Sequence, residues 1–165
     1  MLTSHSTGSS RRSRQPRIPV VGLGNVLLTD DGVGAHAVRA LRKVLPRRIV
    51  VAEVGTAVLD GLHLYEWADR IIAIDATEAG GATGTIHSFG VSDVENHGVK
   101  AALHEMGLIA VLRFLKKPRP EISILAMEPT TLDMELELSE PVQAALPKLL
   151  SAVIDLVDVE ARKEV

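Results

Sequence analysis

Residues 18–34 read IPVVGLGNVLLTDDGVG, and this stretch decides the fold class of the chain. Its first part, 18–23, is a continuous apolar run that leads into glycines, a pattern typical of a buried parallel strand followed by a tight turn. Thr29 and two aspartates then give helix N-terminal signals, and apolar residues recur at helical spacing from Val33 until Pro46. The stretch therefore predicts a strand, a turn and an amphipathic helix.

The rest of the chain repeats this alternation of strands and helices. The predicted strands are 48–54, 70–76, 84–89 and 121–127, and the predicted helices are 59–67, 104–115 and a long one capped by Ser139. We expect Pro141 to be tolerated in the first turn of that last helix and Pro147 to kink or split it. The alternation predicts an α/β three-layer sandwich, a mainly parallel twisted sheet with helices on both faces.

Length and composition indicate one domain with an N-terminal extension. We expect residues 18–165 to form a single α/β domain and the Ser/Arg-rich residues 1–17 to be disordered. Arg11-Arg12 invites comparison with an export signal, but the next apolar run is a strand of the domain. No run reaches the ~18 apolar residues that span a membrane. We therefore expect a cytoplasmic protein without a membrane partner.

The residue types present exclude several classes of function. The chain has no cysteine, so thiol nucleophiles and thiolate metal sites are excluded. Two Phe, one Trp and one Tyr leave few rings on which nucleic-acid bases could stack. Four arginines and no acid fall within 1–17, so the remainder is more acidic than the net charge of -3 indicates. An acidic domain disfavours a nucleic-acid partner and suits a cation or a basic peptide.

Three side chains with metal-binding or acid-base capacity are predicted at one edge of the sheet. Asp31 follows the first strand, Asp75 ends the third, and His104 opens a helix. In open α/β sheets the sites lie beyond the carboxyl ends of the strands. Two carboxylates and an imidazole make an O/O/N site suited to nickel, zinc, manganese or iron.

Each of these residues also has a structural interpretation. Asp31 suits a helix N-terminus, Asp75 suits a turn cap, and His104 lies on an apolar helix face where a buried histidine is common. His97, predicted in a loop, is the histidine that could replace His104 as a ligand.

The paired glycines Gly22 and Gly24 also invite a nucleotide-binding interpretation. The full dinucleotide fingerprint needs a glycine where the chain has Leu27, so this interpretation is disfavoured. Close backbone approach and a positive φ at the turn explain the glycines more simply.

The segment GLGNVLLTDDGVG (22–34) resembles the N-terminal signature of the hydrogenase maturation proteases. Further landmarks follow in the family's order: Gly55-Thr56-Ala57, IIAIDA (71–76), HEMGLIAVL (104–112) and MEP (127–129). The resemblance covers roughly residues 18–155. It implies a one-domain phosphorylase/hydrolase-like fold and a monomeric endopeptidase, aspartic-type by family description, with no cofactor of its own. Such an enzyme removes a C-terminal extension from the nickel-loaded precursor of a [NiFe]-hydrogenase large subunit.

The resemblance also implies roles for particular residues. The family's metal-coordinating positions fall on Asp31, Asp75 and His104, with nickel delivered by the substrate. The predicted catalytic residues are Asp31, Glu53 and Asp75, and either a metal-bound water or a water activated by Glu53 or Asp30 does the chemistry. One departure is Ala102-Leu103, where the family often has Ser or Pro before its histidine.

Two other functions compete with this one. Peptidyl-tRNA hydrolase also ends its first strand in Gly-Leu-Gly-Asn, but its signature continues with Pro-Gly, whereas this chain has Val26-Leu27. Asp30-Asp31 also have no use in a peptidyl-tRNA hydrolase. A non-catalytic nickel-sensing chaperone module would keep the same two aspartates and histidine and cleave nothing.

Overall fold

Five strands form one sheet in the computed structural model, which describes residues 14–97 and 103–163, with the side chains of 95–97 and 103 excepted. The strands are β1 (Pro19–Leu23), β2 (Val50–Gly55), β3 (Arg70–Ala76), β4 (Ile86–Gly90) and β5 (Glu121–Met127). Their order is β2-β1-β3-β5-β4, and all neighbours are parallel except β4 and β5. The predicted mainly parallel sheet is confirmed, with β4 as an antiparallel edge strand.

Helices cover both faces of the sheet, as the alternation predicts. They are α1 (Val33–Leu41), α2 (Leu62–Trp67), α3 (Val91–His97), α4 (Leu103–Phe114) and α5 (Glu140–Ala161). The first two follow directly on 3₁₀ turns, Thr29–Gly32 and Val58–Gly61. One core lies between the sheet and α1 with α5, and the other between the sheet and α2 with α4. The three-layer sandwich is confirmed.

The pleat of β3 decides which face each of its side chains reaches. Ile72 and Ile74 are fully buried against α1 and α5, whereas Ile71 and Ala73 are fully buried on the opposite face. Burying a side chain such as isoleucine contributes roughly 1.5–3 kcal/mol, so this register is strongly specified. By the same alternation Asp75 lies on the α2 and α4 face.

The final helix has Ser139 at its N-cap and Pro141 in its first turn as predicted, but it differs from the prediction in the effect of Pro147 and in the hydrogen bond of Ser139. α5 runs unbroken through Pro147, so the predicted split is wrong. Pro147 is exposed, while Leu146, Leu149 and Val153 are buried on the side that faces the sheet and hold the helix together across the missing hydrogen bond. Ser139 stands at the N-cap as predicted, but its hydroxyl makes no capping hydrogen bond and donates to the Asp30 carboxylate instead.

Two other predictions fail locally. The sequence interpretation missed α3, where the carboxylate of Asp93 accepts a hydrogen bond of 2.7 Å from the Gly90 amide and closes the first turn. His97 is the last residue of this helix and not part of a loop, and its side chain lies outside those described. The first helix ends at Leu41, and short turns carry the chain on to Pro46.

The last residues of the predicted N-terminal extension contact the domain. Arg14 and Arg17 both bind the carboxylate of Asp69, at 2.7 and 3.1 Å, and Arg17 lies 5.7 Å from the centroid of the Trp67 ring. The Arg14 and Arg17 guanidinium groups hold the pKa of Asp69 well below its usual range. Residues 14–17 are thus bound to the domain, and 1–13 lie outside the described residues.

The described helices are not suited to crossing a bilayer. Within 14–97 and 103–163, none of them combines the length and the apolar composition that a membrane span requires.

Close backbone contact fixes α1 on the sheet. A Cβ atom on Gly34 would lie 2.5 Å from the Ile74 carbonyl oxygen and 2.8 Å from the Leu23 amide nitrogen. A Cβ on Gly22 would in turn collide with the Gly34 carbonyl. The two glycines therefore let the first turn of α1 lie directly on β1 and β3.

We predict that Gly34→Ala lowers the free energy of unfolding by about 2–3 kcal/mol, because backbone and not a flexible side chain must yield. Gly107→Ala on α4 is the matched control, since its nearest neighbour there, Val58 Cγ2, is 3.6 Å away. The control should gain about 0.5–1 kcal/mol from the better helix former. Urea unfolding of both variants measures the difference, and equal stability would contradict the close packing of α1.

Candidate metal centre

Three polar side chains converge at the carboxyl edge of the sheet. They are Asp31, Asp75 and His104, and each offers one ligand atom within 4.8 Å of the others. Asp31 comes from the turn after β1, Asp75 from the end of β3, and His104 from the first turn of α4. The structure thus brings together the three residues selected from sheet topology.

The glycine turn after β1 places Asp31. Gly24 has φ +95°, as expected for this turn, and a Cβ on it would collide with the Asp31 carbonyl and lie 3.1 Å from Asp75 Oδ1. The backbone amide of Asn25 then donates a hydrogen bond of 2.7 Å to Asp31 Oδ2. Because position 24 has no side chain, Asp31 can approach the end of β3.

Asp75 is a fully buried carboxylate, and one of its two oxygens makes no hydrogen bond. Its Oδ1 accepts a hydrogen bond of 2.9 Å from the Ala76 amide, whereas its Oδ2 has no hydrogen-bond partner. Burial raises the pKa of Asp75, and the nearby His104 opposes that shift. A buried carboxylate oxygen that makes no hydrogen bond costs free energy, so this position favours a cation, either the His104 imidazolium 3.5 Å away or a metal ion.

His104 lies between the two carboxylates. Its Nδ1 is 3.5 Å from Asp75 Oδ2 and has no hydrogen-bond partner, and its Nε2 is 3.9 Å from Asp31 Oδ2. The Asp75 carboxylate is the main cause of the raised pKa of His104, burial opposes it, and the charge of Asp31 adds to it. Two acids around one imidazole give a site with negative potential.

These distances are compatible with a bound divalent ion. Metal–ligand bonds of about 2.1 Å put adjacent ligand atoms about 3 Å apart, so small rotations of the side chains close the site. Three protein ligands also leave coordination positions open for groups from another molecule.

The neighbouring aspartate, Asp30, has a different role. Its two oxygens accept hydrogen bonds from the amides of Thr130 (2.8 Å), Thr131 (3.2 Å) and Ser139 (2.8 Å) and from the Ser139 hydroxyl (2.8 Å). Asp30 is buried and fastens the segment 130–139 to the turn that carries Asp31. With both oxygens engaged, it is poorly placed to activate a water molecule.

Glu53, predicted to be catalytic, is not brought to the other three residues. Both of its carboxylate oxygens accept hydrogen bonds from Arg39 of α1, at 2.8 and 2.7 Å. This pairing holds the pKa of Glu53 below its usual range. Glu53 lies two residues after Val51 on β2, so both side chains point to the same face of the sheet. Val51 packs against the core beneath α1, and Glu53 therefore lies on the opposite face from Asp75.

Sequence interpretation missed the polar contacts that hold the ligand-bearing elements. The Thr77 hydroxyl donates a 2.6 Å hydrogen bond to Glu105, and both residues are buried, so α4 is fastened to the chain just beyond Asp75. Glu128 accepts hydrogen bonds from the Ala79 and Gly80 amides, at 3.0 and 3.1 Å, and lies 2.9 Å from His87 Nε2. Both acids stand in the quoted motifs HEMG and MEP, but only three-dimensional contacts identify their partners.

Comparisons with known proteins agree on one family. A sequence model described as hydrogenase maturation protease matches residues 35–156. The hydrogenase 2 maturation protease of Escherichia coli K12 is 30% identical over 145 residues, covering 84% of this chain and 88% of that protein. The hydrogenase expression/formation protein HupD of Rhizobium leguminosarum is 30% identical over 150 residues, covering 84% and 73%. The solved structure of the hydrogenase maturating endopeptidase HybD from Escherichia coli matches with a TM-score of 0.78 at 28% identity, covering 90% of this chain and 96% of that one.

The adjacent aspartates should respond differently to the same substitution. We predict that Asp30→Asn lowers the free energy of unfolding by about 1–3 kcal/mol, because an amide NH₂ group would face an N–H donor. Asp31→Asn should change it by less than about 0.5 kcal/mol, because an amide oxygen can still accept from Asn25. Urea unfolding of the two variants side by side measures this. A loss at position 31 as large as that at position 30 would mean that both aspartates support the fold.

Proposed function

The chain belongs to the hydrogenase maturation protease family and is a hydrogenase maturation endopeptidase, and we propose that it cleaves the C-terminal extension from the nickel-loaded precursor of a [NiFe]-hydrogenase large subunit. The observation that carries this proposal is the convergence of Asp31, Asp75 and His104. The proposal assigns that group the recognition of nickel inside the precursor.

Nickel enters this proposal as cargo of the substrate and not as a resident cofactor. Two carboxylates and an imidazole suit a borderline divalent ion. Asp75 Oδ2 and His104 Nδ1 support the assignment, because they face each other at 3.5 Å without forming a hydrogen bond and are therefore available to a cation brought by the substrate. The open coordination positions are filled by the precursor itself, so the precursor binds more tightly after nickel insertion than before it.

Peptide hydrolysis also needs an activated water and a polarised carbonyl. A nickel ion held at the candidate metal centre would supply positive charge that can polarise the carbonyl or favour deprotonation of the water. Within the chain, Asp31 is the better placed base, because its side chain is 12% exposed and can contact a water molecule. The side chain of Asp75 is fully buried. The Ala76 backbone amide fixes Asp75 through Oδ1, and Asp75 Oδ2, 3.5 Å from His104 Nδ1, then orients the imidazole. Glu53, bound to Arg39, has no step in this mechanism.

The first test is mass spectrometry of a hydrogenase large-subunit precursor after incubation with the protein. We expect a C-terminal peptide to be lost from the nickel-loaded precursor and not from the nickel-free one, because only the loaded form satisfies the two carboxylates and the histidine. Cleavage of both forms would remove nickel recognition from the proposal. Binding of the loaded form without cleavage would instead support the nickel-sensing chaperone.

Substitution at two acidic positions tests the assignment of catalytic residues. We expect Asp31→Asn to reduce the cleavage rate at least ~100-fold, because a ligand and base is lost while the fold remains. Glu53→Gln should keep the rate within about twofold and lose less than about 1 kcal/mol of stability, because only an exposed ion pair with Arg39 is broken. Single-turnover assays on precursor measure both variants. An inactive Glu53→Gln protein with normal stability would restore Glu53 as a catalytic residue.

A further inference from the structure

An apolar groove of about 960 Å³ begins at His104 and follows α4. One wall is formed by α4 residues about one turn apart, among them Gly107, Val111 and Phe114, and the other by residues from the segment 56–66. The small residues Gly107 and Ala110 keep this wall shallow, so another chain could approach the helix closely. The groove is therefore continuous with the candidate metal centre.

Large apolar side chains of the groove are left in water. Phe114 is 90% exposed and Leu59 is 68% exposed, and Leu62 is also exposed. Single exposed apolar residues are ordinary, but several that line one groove mark a binding surface. A partner that covers them gains hydrophobic burial without any rearrangement of the core.

The length of the groove suits a short peptide in extended conformation. From His104 to Phe114 the helix advances ten residues, or about 15 Å at ~1.5 Å per residue. An extended peptide covers that length with four to five residues at about 3.3 Å each.

The charge of the groove is negative. Asp60 and Glu66 line it and are exposed, and among the described residues that line it none is Lys or Arg. An acidic rim around an apolar floor favours a segment that carries a basic side chain and disfavours an acidic one.

We propose that this groove binds the C-terminal extension of the precursor as an extended apolar segment with at least one basic side chain. The proposal rests on the proposed function and names the part of the substrate that the chain holds. The extension is the part of the precursor that is removed, so it is available as a single chain. Because His104 belongs to both the groove and the metal centre, a peptide in the groove leads directly to the site of cleavage.

Fluorescence anisotropy with a labelled synthetic peptide tests this. The peptide is the extension of the precursor used in the cleavage assay, and the full chain is titrated into it without nickel. We expect Ala110→Trp, which fills the groove, to weaken binding at least tenfold. Met106→Trp is the matched control on the same helix, because Met106 is exposed and does not line the groove, and it should stay within twofold of the wild type.

A charge-reversed variant tests the basic side chain separately. Asp60→Lys combined with Glu66→Lys should weaken binding several-fold at low ionic strength, and the difference should shrink in about 1 M salt, where charges are screened within about 3 Å. An unchanged affinity at low salt would overturn the assignment of a basic segment.

The remaining outcomes separate this inference from the proposed function. Peptide binding that Ala110→Trp weakens, without cleavage of any precursor, supports the groove and rejects the proposed cleavage of nickel-loaded precursor. Cleavage by the wild type with no measurable peptide binding, or with equal binding by Ala110→Trp, overturns the groove alone. Displacement of the peptide by a precursor that lacks the extension would overturn the choice of occupant.

Discussion

The geometry of the candidate centre depends on backbone atoms that approach each other where side chains are absent. Gly22 and Gly34 let α1 lie directly on β1 and β3, and Gly24 lets the following turn lie against the end of β3. Any side chain at position 24 would collide with the Asp31 carbonyl and crowd Asp75. The two carboxylates can therefore lie close together only because these positions carry no side chain.

The elements of the fold that local pattern controls were predictable from sequence. β3 and β5 are apolar runs, and α4 begins and ends within one residue of its predicted bounds. The failures occur where tertiary contacts override a local signal. Pro147 does not split α5 because the buried side of that helix packs on the sheet. Ser139 illustrates the same point, since its hydroxyl binds Asp30 instead of capping α5.

The candidate site was predictable to the extent that topology alone decides it. The rule that parallel strands end at a common edge selected Asp31, Asp75 and His104, and these side chains do converge. The rule could not assign Asp30 its structural role, because the partners of Asp30 lie 100 or more residues away in sequence. It also could not place Glu53, whose face of the sheet depends on the register of β2 and on Arg39.

Recognition in the proposed function divides into an attractive part and a discriminating part. The groove beside His104 offers apolar surface and negative charge whatever the precursor contains, so it provides affinity without distinguishing loaded from empty substrate. The metal centre works in the opposite way. Its buried Asp75 Oδ2 and His104 Nδ1 lie 3.5 Å apart and make no hydrogen bond, so a precursor without nickel would cover two incompletely satisfied polar atoms, whereas a loaded precursor relieves that cost. Specificity is a difference between two affinities, and an unfavourable empty site increases that difference as effectively as a tighter filled one. The unsatisfied atoms are then what makes the proposed cleavage conditional on nickel, and a more stable centre would discriminate less.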